Sequence, residues 1–592
     1  MNRKKQSGSR PAPPRKTAAS IAVPKREAGG KTKAKTFRAG TLVTACLALA
    51  AFWLLASWLW GDVMWRVEQD SYVSANAMQM KFLTDGVFGS LFYAARWLLL
   101  PMRYPVVGGL LLAAVLAATG ALLSQGLRLK GRWAWAAYVL PLLFFAWLPW
   151  RGFSLYFRSE PSMVVLLPTL VLGVVAVFAA VRTFTDKRAP IIPRTARLVG
   201  FAAVGIATVS AAVWAYTALH FVAALWLTGL LIIYMVSALL LLQARRSEDA
   251  APWYAPLAIP VLAVAAAVVT PHVGYVDSVL ATAQMQRLLE EQDWEGMTDV
   301  AMRPKYPTRS VAAYYAIALE HEDALLEQVF SLPFDFPKVT FDHEMPADEY
   351  ALFVPDCNLA AGLLNPAYHE AFEQTVIAGQ RLHWLKTMCK AALLNGEDRL
   401  VRKYLAVIGA NPFEGAFCER IAQYVGRPDR LDEDNEFAHI RRLTPRDPHR
   451  FEQNFRKPTF LGYNMGLTEG PDEVLRTSAA ACLYSKDLAA FIPRADVFVA
   501  KGWPLPECMQ QALVIYSIKH GGENFLKRYP GISPMVQQTI AAFSRDVAPI
   551  AKDKEAMRRE LRDQWLGTYV YYYYCENNNP EQVRKQESAG VN

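Results

Sequence analysis

Residues 198–244 contain no Asp, Glu, Lys or Arg over 47 positions, with His220 the only imidazole. As one continuous helix this stretch would be roughly 70 Å long, more than twice a hydrocarbon core of about 30 Å. It therefore reads as two membrane spans, 198–217 and 221–243, joined by a tight turn. Arg194 and Arg197 flank one end, and Arg245 and Arg246 the other. Both ends of this hairpin are accordingly expected on the cytoplasmic side.

That orientation fixes the rest of the membrane half. Uncharged runs at 40–60, 105–125, 133–150, 163–181 and 252–270 give five more spans, for seven in all. The inner loops 126–132, 182–197 and 244–251 are basic, whereas Asp62, Glu68, Asp70 and Glu160 fall in outer loops. Residues 86–102 are apolar but short and carry Arg96. They are expected to lie on the outer interface as an amphipathic helix, with Phe88, Leu91, Trp97 and Leu98 inward and Arg96 snorkelling. With the N-terminus inside, everything after about residue 272 lies outside the cytoplasm.

Charge is concentrated at the N-terminus. Of the formal net charge of +10, residues 1–38 supply twelve Lys/Arg against one Glu. This Pro- and Ala-rich segment reads as a disordered cytoplasmic tail with an affinity for anionic lipid. Phe37 is its only aromatic residue, which argues against nucleic-acid binding.

From residue 276 amphipathic helices alternate with short turns. Pairs are expected around Asp293, Asn365-Pro366, Asn395-Gly396, Lys486-Asp487 and Gly521-Gly522. The turns scatter about the 34-residue spacing of tetratricopeptide-type repeats, although the full consensus is absent. The expected fold is all-α: a seven-helix transmembrane bundle over 39–271, then a tetratricopeptide-like α-solenoid. Repeats are expected over 272–425 and 471–576, with a polar connection at 426–470 and a disordered tail at 577–592.

Chemistry is less legible. No zinc-protease, Walker, dinucleotide or Gly-x-Ser-x-Gly motif occurs, and no cofactor or metal is implied. Cys46 lies in the first span. Cys357, Cys389, Cys418, Cys482, Cys508 and Cys575 lie beside apolar helical faces and read as buried thiols, with a bridge from Cys389 to Cys357 or Cys418 left open. His321, His369, His383 and His520 occur singly, and the acidic run around Asp342-His343-Glu344 reads as a solvated loop. The aromatic helix around Trp565 and Tyr569–Tyr574 reads as packing. Asp62, Glu68 and Asp70 are the tentative catalytic residues, because they follow the first span directly. Membrane glycosyltransferases that use lipid-phosphate sugars are similar in placing a carboxylate in the first external loop beside an amphipathic helix, as general base or metal ligand.

Glu68-Gln69, residues 82–104 and Gly108-Gly109 resemble an uncharacterised Bacteroidota family of polytopic inner-membrane proteins, as do Trp294, Tyr314-Tyr315, 358–372 and 565–574. The resemblance implies a Gram-negative inner membrane and a periplasmic helical-repeat domain, and brings no activity. The expected role is to present that surface to a protein partner. The alternative is a glycosyltransferase-like enzyme.

Overall fold

The computed structural model describes residues 29–85, 89–126, 134–147, 254–272, 275–334, 346–444 and 470–576. The expected spans at 163–181, 198–217 and 221–243, the loop around Asp342 and the segment 577–592 lie outside them. Among the described residues, all regular structure is helical.

Helix α1 (Gly29–Leu54) starts within the stretch expected as tail and runs into a π-helical turn, Leu55–Leu59. Its segment Leu42–Leu59 is the one described helix long and apolar enough to cross a membrane alone. The first loop follows as α2 (Gly61–Gln69), α3 (Ala77–Thr84) and α4 (Gly89–Leu99). Helices α5 (Pro105–Gly126) and α7 (Ala258–Val269) pack on α1, and α6 (Ala136–Trp147) packs on α5. Glycines permit this closeness. A Cβ on Gly109 would meet Ser57 Oγ at 2.2 Å, and one on Gly120 would meet the Tyr138 ring at 2.3 Å. Leu54, Trp58, Val106, Val107, Val261, Val264 and Val268 face outward, exposed.

The chain leaves α7 through a bend of 88° into α8 (Val276–Glu291), which lies against α2. Next come α9 (Trp294–Ala301), α10 (Arg309–His321), α11 (Leu325–Gln328), α12 (Pro346–Ala360), α13 (Leu364–Ala378), α14 (Leu382–Leu394), α15 (Asp398–Ile408) and α16 (Gly415–Ala422). One device closes helix after helix. Gln292, Asp323, Gly362, Gly396 and Lys486 adopt positive φ. The next residue's N–H then reaches back to a carbonyl: Asp293 to Leu288, Ala324 to Leu319, Leu363 to Asn358, Glu397 to Ala392, and Asp487 to Cys482. These are Schellman caps, which satisfy orphan carbonyls and reverse the chain. The expected turn at Asn365-Pro366 is displaced, because both residues sit in the first turn of α13 and Gly362 makes the reversal. Gly521-Gly522 does not separate a pair either: a π-helical segment, Ser517–Gly521, runs straight into Gly522–Leu526.

Two other regions depart from expectation. Part of the polar connection is ordered, as a 3-10 turn at Pro428–Glu433 and α17 (Asn435–Leu443), whose N-cap Asp434 side chain accepts from the N–H groups of Glu436 and Phe437. The second helical block does not simply extend the stack. Tyr484, Leu513, Tyr569 and Tyr572 share one core with Tyr315, Phe330 and Phe334 of the first repeats. Tyr569 donates to Leu483 O (3.3 Å), and the Cys508 thiol to Leu326 O (2.9 Å). All seven cysteines are free thiols.

Gly109→Val is predicted to cost about 1–3 kcal/mol by forcing α5 away from α1. Gly415→Ala, where an added Cβ meets nothing within 4 Å, is the control. Thermal unfolding in detergent should show the first change lowering Tm and the second leaving it in place.

Candidate functional site: a buried polar junction

Helix α2 carries its polar residues at a helical spacing. Asp62, Arg66, Gln69 and Asp70 fall at i, i+4, i+7 and i+8 and so share a face, while Val63, Met64 and Val67 join the core with α1 and α5. The polar face meets the helical domain instead of water. Arg66, Glu68, Gln69 and Asp70 are at most 2% exposed.

Three sets of contacts close this junction. In the first, Arg66 Nε donates to Asp70 Oδ2 (3.0 Å), and Asp62 pairs with Arg287 of α8 (3.1 Å). In the second, Lys386 Nζ of α14 donates to Gln69 Oε1 (2.9 Å) and lies 3.1 Å from Glu414 Oε2, beside α16. Glu414 also pairs with Arg103 of the first loop and is wholly buried. In the third, Gln286 donates to Tyr314 OH (2.6 Å), Tyr314 OH donates to Asp356 (2.7 Å), and His383 Nε2 lies 2.9 Å from the other Asp356 oxygen. Burial opposes charge on Asp356, but His383, Arg66 and Tyr314 together hold its carboxyl below the usual range.

Glu68 behaves differently. Its Oε2 accepts from Gln69 Nε2 (2.7 Å), and its Oε1 has no hydrogen-bond partner among the described residues. Burial, reinforced by Glu414, outweighs the pull of Arg103 and Lys386 and pushes the carboxyl up from 4.5 to about 7. It is therefore a group that changes charge near neutrality without being exposed.

The three acids singled out from the sequence thus come together at one junction, but two are committed to ion pairs. None of them lines either of two cavities found elsewhere, one of about 460 Å³ bordered by Lys486 and Tyr573, the other of about 130 Å³ bordered by Glu320 and Trp503. Arg96 corrects an expectation. It does not snorkel but is 1% exposed, donating to Tyr72 O (2.6 Å). His383 is likewise tied to Asp356. Sequence reasoning missed Gln69, Arg103, Asp356, Lys386 and Glu414. One signal was available: Lys386 and Lys390 are the two charged residues of a mostly apolar run, Leu382–Leu394, where a charge has to find a partner.

A family model matches residues 35–576 of this chain. The chain belongs to DUF6057, a family of unknown function. No curated protein and no solved structure matches it. Every residue of the junction lies inside the DUF6057 match, which runs from α1 through the last helix, Tyr569–Tyr574.

Two predictions follow from these contacts. Glu414→Gln removes the partner of buried Lys386 and half-buried Arg103 and should cost about 3–5 kcal/mol in urea unfolding of the detergent-solubilised chain. For Glu68 the folded-state pKa is raised, so its contribution to stability is present below about pH 4.5 and lost as pH rises through about 7. Glu68→Gln should accordingly gain stability relative to wild type as pH is raised from 5 to 8. A wild-type-minus-variant difference that stays flat over that range would contradict the assignment.

Proposed function

We propose that this DUF6057 chain is a seven-span inner-membrane protein that presents a periplasmic, tetratricopeptide-like surface to a protein partner. The burial of the first loop's polar face against α14 and α16 carries this reading. A docking surface needs a fixed attitude to the membrane, and a desolvated network of ion pairs spanning loop and repeats supplies one. The outward apolar faces of α1, α5 and α7 support membrane residence, and the Schellman caps near 323, 362 and 396 support a repeat origin. Phe372, Val376 and Ile377 are exposed along α13 and mark a surface with apolar contact to offer.

Sidedness is tested by fusing alkaline phosphatase after residue 576, which should be active; a fusion active only as a cytosolic reporter would overturn the topology. Docking is tested by photo-crosslinkers at Phe372 and Val376 in living cells. A discrete adduct is expected there and at no position on the exposed face of Lys554–Trp565. Equal, diffuse labelling at both would end the proposal.

One observation favours a second reading, in which Glu68 is the base of a lipid-phosphate-sugar transferase: the unpartnered oxygen of a carboxyl that titrates near neutrality. Under it, Glu68→Gln abolishes turnover of polyprenyl-phosphate sugar in membrane vesicles while leaving the α13 crosslink intact.

A further inference from the structure

Away from the junction, three metal-ligating side chains converge between two helices distant in sequence. Glu320 and His321 end α10, and His439 lies on α17. The His439 Nε2 and Glu320 Oε2 atoms are 2.6 Å apart. The His321 ring stacks between Trp294 (centroids 3.8 Å apart, planes 9°) and His439 (3.8 Å, 23°). One donor atom from each of Glu320, His321 and His439 falls within 4.8 Å of the others.

We propose that Glu320, His321 and His439 form a site for a divalent transition-metal ion of the zinc class, clipping α10 to α17. Two imidazoles and one carboxylate are the donor set such an ion takes, with water completing the coordination. His321 is free to serve: neither ring nitrogen has a hydrogen-bond partner among the described residues. The surroundings suit a cation. Glu295 and Asp299 crowd the neighbouring Glu322 carboxyl, and Glu320 opens onto the cavity of about 130 Å³ that Asp323, Glu473 and Arg476 also line.

Loading has a definite chemistry. Arg442 Nη2 approaches His439 Nδ1 at 3.3 Å, which leaves Nδ1 as acceptor and the proton on Nε2, toward Glu320. The proton moves from Nε2 to Nδ1 through solvent, and the ion takes the Nε2 lone pair so freed, with no net proton released. The half-exposed Arg442 side chain then swings away from Nδ1. The His321 ring tilts out of its stack, because an ion shared by two imidazoles lies in the plane of each. By contrast His369, Glu370 and Glu373 also cluster, but along one exposed helix.

The test uses the full chain in detergent, stripped with chelator and titrated with Co²⁺, then competed with Zn²⁺. A single saturable equivalent with visible ligand-field bands is expected, displaced by Zn²⁺. His321→Phe keeps a ring against Trp294 and should lose that equivalent, as should Glu320→Gln, which decides the matter if the first variant does not fold. No saturable binding by wild type, or the same equivalent retained in whichever of these variants folds, would overturn the site and leave an aromatic stack alone.

Discussion

Lys386 and Glu414 are the two charges on which the molecule's shape depends. Each lies in the helical domain, each is removed from water, and each is answered from the first loop, by Gln69 and Arg103 respectively. A buried ion needs its partners in place, because an uncompensated one costs more than its pairing gained. The loop therefore cannot lift from α14 and α16 without exposing both halves of the network together. Apolar packing adds to this: Tyr72 and Met80 of the loop sit in one core with Leu382, Trp384 and Ile408.

This arrangement alters what a helical repeat would otherwise be. In an open solenoid each repeat touches only its neighbours and cooperativity is local. Here α8 is held by α2, α14 by the first loop, and the first helical block by the second through one shared core. Schellman caps still shape each pair locally, but the order of stacking is set by contacts that skip along the chain.

Secondary structure was legible wherever local chemistry decides it. Asp293 and Asp487 fall at turns between helices, as expected, and there their side chains cap the helices that follow. Where a turn depends on one residue accepting positive φ, sequence cues misled: Asn365-Pro366 is a stronger turn signal than Gly362, yet proline is also at home in a first helical turn. The junction was half legible. A run of acids just after a span is visible in sequence, but Arg287, Lys386 and Glu414, which close the junction, lie more than 200 residues away and no local pattern encodes such pairing. Hence Arg96 seemed to need water, whereas a backbone carbonyl supplies its hydrogen bond. His321 and His439 are single histidines in the sequence, and only the packing of α10 against α17 makes them neighbours.

The shared core has a consequence for biogenesis. Phe330 and Phe334, near the start of the domain, are covered by Tyr569 and Tyr572, far along the chain. During vectorial synthesis those rings wait, uncovered, while well over 200 further residues emerge. The domain therefore matures only after Tyr572 has been synthesised, and a nascent chain halted earlier presents apolar surface for holdases and proteases to recognise.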